Sequence, residues 1–175
     1  MSLADVKKLR DMTSLGINDC KKALSEAKGD FDKALQILKS KGISAAAKRS
    51  ERVAQQGRID AYIHFGANLG TLVEVNCETD FVARTDVFKT FVKDLAMQIA
   101  AVNPEYINKK DVPEKVLSTV GDKEAYYKQA CLMEQPFIKD NKITVGDYLR
   151  DVVSKTGENV KVKRFVRFAL GEDAS

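Results

Sequence analysis

In the first forty positions, apolar residues recur at three- and four-residue spacing. Leu3, Val6 and Leu9 lie three apart and predict a helix that runs past Arg10. Cys20, Ala23, Leu24 and Ala27 predict a second helix, separated from the first by Gly16 in the stretch TSLGIND and stopped at Gly29. Asp30 stands where it can cap a third helix, whose buried stripe is Phe31, Ala34, Leu35 and Leu38. Gly42 then falls where a C-terminal cap is expected. Residues 1–41 thus read as a compact three-helix module. Residues 42–57, GISAAAKRSERVAQQG, are Ala-rich and basic with little apolar pattern, and read as a partly helical linker.

From Arg58 the period changes to two. Ile59, Ala61, Ile63 and Phe65 alternate with polar positions and predict a strand with those four on its buried face. The turn residues GANLG follow, and Val73, Val75 and Cys77 alternate again, so the two runs form a hairpin. After Asp86 the spacing is helical once more through Val87, Phe88, Phe91, Val92, Leu95 and Ile99, ending before Pro104. Residues 114–134 read as one or two helical pieces broken at Gly121, and QPFIKDNKI reads as irregular. Thr144 is placed to cap a helix marked by Val145, Tyr148, Leu149, Val152 and Val153 and ended by Gly157. Val160, Val162, Val166 and Phe168 predict a last strand with one apolar face, interrupted by Arg164. A hairpin, then helices, then a returning strand imply an α+β core over residues 58–175, with a small antiparallel sheet packed by helices.

Composition changes this picture little. A hydrophobic fraction of 44% beside 31% charged residues excludes a disordered chain and allows a real core. The net charge of +4 would suit an acidic protein partner or an RNA, although a basic excess this small is usually just a solvated surface. The cysteines Cys20, Cys77 and Cys131 are far apart and show no metal-binding spacing, so reduced thiols and no metal or other cofactor are expected. The N-terminal residues lack a continuous apolar stretch, and no run is long enough to span a bilayer, so a cytoplasmic protein with no membrane contact is expected.

Candidate chemistry is sparse. His64 is the lone histidine, so no serine triad can be assembled; pairing it with Cys77 across the hairpin is conceivable, although a buried Cys ordinarily acts as a small hydrophobe. GANLG lacks the Lys-Ser/Thr of a phosphate loop and opens a strand. Lys48, Arg49 and Arg52 in the linker and Lys161, Lys163, Arg164 and Arg167 in the last strand could touch RNA, yet no aromatic residue is interleaved in the linker for base stacking. A binding protein is favoured over an enzyme. The unusual stretch is EVNCETDFVARTD, where Phe81 and Val82 stand at a strand-to-helix junction that Gly, Asn or Ser would fill more easily. Thr79 can cap a short helical turn with Asp80 near its N-terminus, and Phe81 either folds back into the core or stays exposed as an anchor for a partner pocket.

EVNCETDFVAR resembles the signature of bacterial translation elongation factor Ts in its short, single-core form. DCKKALSEAKGDFDKALQILKSKG resembles the N-terminal module of that family, similar to ubiquitin-associated domains, and QPFIKDNKITVGDYL and VKRFVRFALGE resemble the end of its core. The resemblance implies a guanine-nucleotide exchange factor for elongation factor Tu, with no chemical active site of its own and no direct nucleic-acid binding. It implies that Thr79, Asp80, Phe81 and Val82 enter the partner's nucleotide domain and dislodge its magnesium. It further implies that Leu15, Gly16, Ile17, Asn18 and Asp19 form a second contact; many members carry a larger apolar residue where this chain has Asn18, which weakens that contact or shifts it to Ile17. With a single core, the chain is expected to pair as a homodimer.

Overall fold

The computed structural model describes residues 2–13 and 15–172, and of residues 39 and 42–48 the backbone alone. Three helices come first: α1 (Leu3–Thr13), α2 (Ile17–Glu26) and α3 (Phe31–Arg49). Val6, Leu9, Cys20, Ala23, Leu24, Ala34 and Leu38 form one buried cluster among them, as the helical spacing predicts. Asp30 caps α3, its carboxylate accepting the Lys33 amide at 3.0 Å. The expected stop at Gly42 is corrected, because α3 runs through it to Arg49. A single interior Gly costs a helix only about 1 kcal/mol, and the alanine run that follows favours continuation.

The second unit begins with β1 (Gln56–Ile63) and β2 (Leu69–Cys77), continues through α4 (Asp80–Ala83) and α5 (Asp86–Val102), and then passes α6 (Glu114–Leu117) and α7 (Lys123–Ala130) on either side of Gly121. It ends with β3 (Pro136–Phe137), β4 (Asp140–Thr144), α8 (Val145–Thr156) and β5 (Lys161–Ala169). Strands β1, β2 and β5 make an antiparallel sheet in that order, so the returning strand pairs with the hairpin as the α+β reading requires. Among the described residues the helices cover one face only. Phe88, Phe91, Val92, Leu95 and Ile99 of α5 and Val145, Val152 and Val153 of α8 pack with Val73, Val75, Cys77, Val160 and Val162 in a second buried cluster.

Three further expectations are corrected. The apolar set of β1 lies on the wrong side: Ile59, Ile63 and Phe65 are exposed, and Tyr62 is the residue that packs on the core. Alternation separates two faces without saying which is covered; the register sets Asp60 opposite Val73 and Ala61 opposite Leu72, which turns Ile59, Ala61 and Ile63 outward. In β5 the pairing passes from Glu74–Arg164 to Val75–Val162, so Lys163 is an extra, bulged residue. Val160 and Val162 therefore face the core while Val166 and Phe168, expected beside them, point out with Leu72. QPFIKDNKI is not irregular either, since it forms the hairpin β3–β4. Buried Gln98 fastens that hairpin to α5, donating to the Pro136 carbonyl at 3.1 Å and accepting the Ile138 amide at 2.9 Å.

Candidate functional site

The residues following β2 are built around one turn of helix. Thr79 is extended and caps α4, its hydroxyl accepting the Val82 amide at 3.4 Å. Ala83 is buried and Val82 half-buried against the core, so these two hold the turn down. Phe81 points the other way and is 78% exposed. Asp80 pairs with Arg84 one turn on, at 2.8 Å, on the open surface. The sequence left the ring between core and surface; the structure places it on the surface.

Four residues are too few for a self-supporting helix, because nucleation costs more than one turn returns. The turn is braced from the far end of the fold. Gly157, in the left-handed region at φ 74°, ends α8 and redirects the chain. The next residue, Glu158, accepts the Glu78 and Thr79 amides through Oε2, both at 3.0 Å, and the Thr79 hydroxyl through Oε1 at 2.6 Å. Glu78 reciprocates by accepting the Asn159 amide at 2.6 Å. Hydrogen bonds to an ionised acceptor are roughly twice as strong as neutral ones. The Cys77 thiol adds a bond to the Thr79 carbonyl at 3.1 Å. Nothing in the sequence singled out Glu78, Glu158 or Asn159; each is an ordinary polar residue beside a strand or helix end, and the pairing spans 80 positions.

The second candidate segment lies between α1 and α2. Leu15 is half-buried on the helical cluster, Gly16 is the extended residue before α2, and Ile17, Asn18 and Asp19 are exposed. Thr13, just before this segment, accepts a hydrogen bond from the Ser154 hydroxyl at 3.1 Å. Ser154 is in the last turn of α8, one turn before Glu158. Both candidate segments are thus tied to the C-terminal end of the same helix. Met12, Leu15, Leu38 and Tyr148 line an open cleft of about 330 Å³ where the helical cluster meets α8.

The remaining candidates are not assembled into a site. His64 lies at the turn end of the hairpin, bonded to the Tyr62 hydroxyl at 3.0 Å, whereas Cys77 pairs with Gln56 at the opposite end. Burial, and then the charge of Glu158, pushes the Cys77 thiol up to about 11, which leaves it protonated and a poor nucleophile at neutral pH. In the basic strand Arg164 is paired with Glu74 and Arg167 with Glu172, each at 2.7 Å, and Arg52 of the linker lies 3.5 Å from Glu78. Lys48 lies outside the described side chains. Among the described residues no group of three or more His, Cys, Asp or Glu side chains gathers to hold a metal, and no helix is long and apolar enough to cross a membrane.

The family model for "Elongation factor TS" matches residues 32–122 and 119–172. The elongation factor Ts of Carboxydothermus hydrogenoformans is 48% identical, with 95% of this chain and 88% of the relative aligned. That of Thermoanaerobacter sp. (strain X514) is 49% identical over 98% of this chain and 96% of its own length. That of Caldanaerobacter subterraneus subsp. tengcongensis is 47% identical over 98% of each.

Proposed function

Since the chain belongs to the elongation factor Ts family, we propose that it is a guanine-nucleotide exchange factor which binds GDP-bound elongation factor Tu, dislodges the magnesium ion and speeds GDP release. The observation that carries this reading is the exposed ring of Phe81 on a turn whose preceding backbone amides are bonded to Glu158. A large apolar side chain presented on a braced turn is suited to fill a partner pocket, as interface anchors do. Thr79, Asp80, Phe81 and Val82 form the inserted segment, with Phe81 as the wedge. Magnesium offsets the charge of the nucleotide phosphates, so displacing it weakens GDP. Exchange is then a linkage effect: a factor that prefers nucleotide-free Tu weakens GDP, and GDP weakens the factor by the same ratio. The protein needs no chemical site of its own for this and works in the cytoplasm.

Leu15, Gly16, Ile17, Asn18 and Asp19 make the second contact, with exposed Ile17 as its apolar element. In this reading residues 1–41 form the partner-binding module, residues 42–57 the connection and residues 58–175 the core. The core pairs with a second copy through the bare face of its sheet, where Ala61, Leu72 and Val166 form one row and Ile63, Gly70 and Phe168 the next. Scattered exposed apolar residues are ordinary, whereas a contiguous patch marks an interface.

The test is release of labelled GDP from elongation factor Tu with and without this protein. Wild type should accelerate release strongly. The Phe81→Ala variant should lose about 2 kcal/mol or more of the interaction, as truncated anchors do, or roughly thirtyfold in efficiency. Unchanged release with wild-type protein would end this reading.

A further inference from the structure

An exposed wedge gains no orientation from its own contacts. Phe81 is 78% exposed, so little packing holds its ring, and the backbone of α4 sets the direction in which the side chain leaves the turn. That turn is too short to hold itself, and Val82 and Ala83 fix only its inner side. The backbone just before it is where Glu158 acts. Its two carboxylate oxygens take the Glu78 amide, the Thr79 amide and the Thr79 hydroxyl at 3.0, 3.0 and 2.6 Å. The return bond from the Asn159 amide to Glu78 closes a reciprocal clasp. Asn159 is buried, and its side-chain amide donates to the carbonyls of Ser50 and Arg52 at 3.3 and 2.7 Å, so the chain leaving α3 is gathered into the same knot. The clasp lies just beyond the end of the sheet, whose last β2–β5 pair is Asn76 with Lys161. The sheet is complete without it.

Resting on the reading of Phe81 as the inserted residue, we infer that Glu158 is a positioning residue for nucleotide exchange, acting through Glu78 and Thr79 to present Phe81 in one orientation. Removing its carboxylate frees the amides of residues 78 and 79 and lets the turn sample other directions. The ordering cost then falls on the complex, and the partner pocket meets the productive geometry less often.

The test uses the full chain with Glu158→Ala and Glu158→Gln, each made with Phe81 intact and with Phe81→Ala. GDP release from elongation factor Tu is measured across factor concentrations. Glu158→Ala should lower exchange efficiency about tenfold, equivalent to about 1.4 kcal/mol and within the range of coupling between neighbouring groups. In the Phe81→Ala background the same change should cost less than about twofold, because the residue it positions is gone. Amide hydrogen exchange should quicken at residues 78 and 79 while Val73 and Val75 stay protected. Glu158→Gln keeps an acceptor oxygen without the charge and should fall between; it decides the matter by the same comparison if the alanine variant does not fold. An equal fold-loss in both backgrounds, or exchange untouched by either Glu158 variant, would overturn the inference while leaving the Phe81 reading in place. Full exchange by Phe81→Ala alone would overturn both.

Discussion

Phe81 and Phe91 are ten positions apart and lie at opposite extremes, one largely in water and the other fully buried on α5 with its ring packed edge-on against Tyr148 of α8. Their substitutions should separate cleanly. Phe91→Ala opens a cavity in the core and should cost about 3–5 kcal/mol of folding stability. Phe81→Ala removes almost no packing and should stay within about 0.5 kcal/mol of wild type, as exposed changes usually do. Thermal unfolding of both variants in one buffer checks this, and a large fall for Phe81→Ala would mean that the ring is packed after all. From the sequence the two phenylalanines differ only in position: Phe91 belongs to a helical stripe that declares its burial, while Phe81 has no periodic context.

At the scale of elements, α8 shows what local chemistry can specify. Thr144 and Asp147 form a reciprocal cap, with the Thr144 amide donating to Asp147 at 2.9 Å and the Asp147 amide to the Thr144 hydroxyl at 3.0 Å. Partial burial pushes the Asp147 carboxyl up, but the bonds from the Thr144 amide and hydroxyl and from Arg150 outweigh it and hold the group below the usual carboxylate range. A carboxyl whose folded value is depressed stabilises the fold above its unfolded value, near about 3.9, and that contribution disappears as pH falls through the folded value. Asp147→Asn should therefore melt below wild type at neutral pH, and the gap should narrow progressively below about pH 4. A gap that stays constant into acid would show that the charge of Asp147 contributes nothing. The cap and the end of α8 at Gly157 were legible because their signals lie within a few residues of the helix ends. The bulge at Lys163 was not, because its cause is the pairing with β2.

For the whole molecule, the helices cover one face of the sheet and leave Ile59, Ile63, Leu72, Val166 and Phe168 bare on the other. If a second copy covers that face, sedimentation should give a particle of about twice the 19.4 kDa chain. Leu72→Asp together with Phe168→Asp should yield a folded monomer, since both side chains already stand in solvent within one chain. A wild-type protein that stays monomeric at high concentration would remove the dimer. The buried polar groups argue for a rigid scaffold behind this face. Thr71 reaches the Ala96 carbonyl at 2.9 Å, and Asp94 receives Lys139 at 2.6 Å and the Tyr148 hydroxyl at 3.2 Å.

Helical periods, caps and turn residues were enough to recover the helical module, the hairpin, the long helix after Asp86 and the α+β class, because each is a local preference summed over a few turns. The motif at Thr79–Val82 was also visible, as an apolar pair in a polar junction. Which side of β1 is covered, how β5 divides its valines between two faces and whether Phe81 sits inside or outside were not. Those outcomes depend on register and on which face the helices occupy, and both are settled between segments far apart in the chain. The clasp of Glu158 on Glu78 and Thr79 is the extreme case: a carboxylate carries no mark of its acceptor role until folding brings the distant amides within 3.0 Å of it.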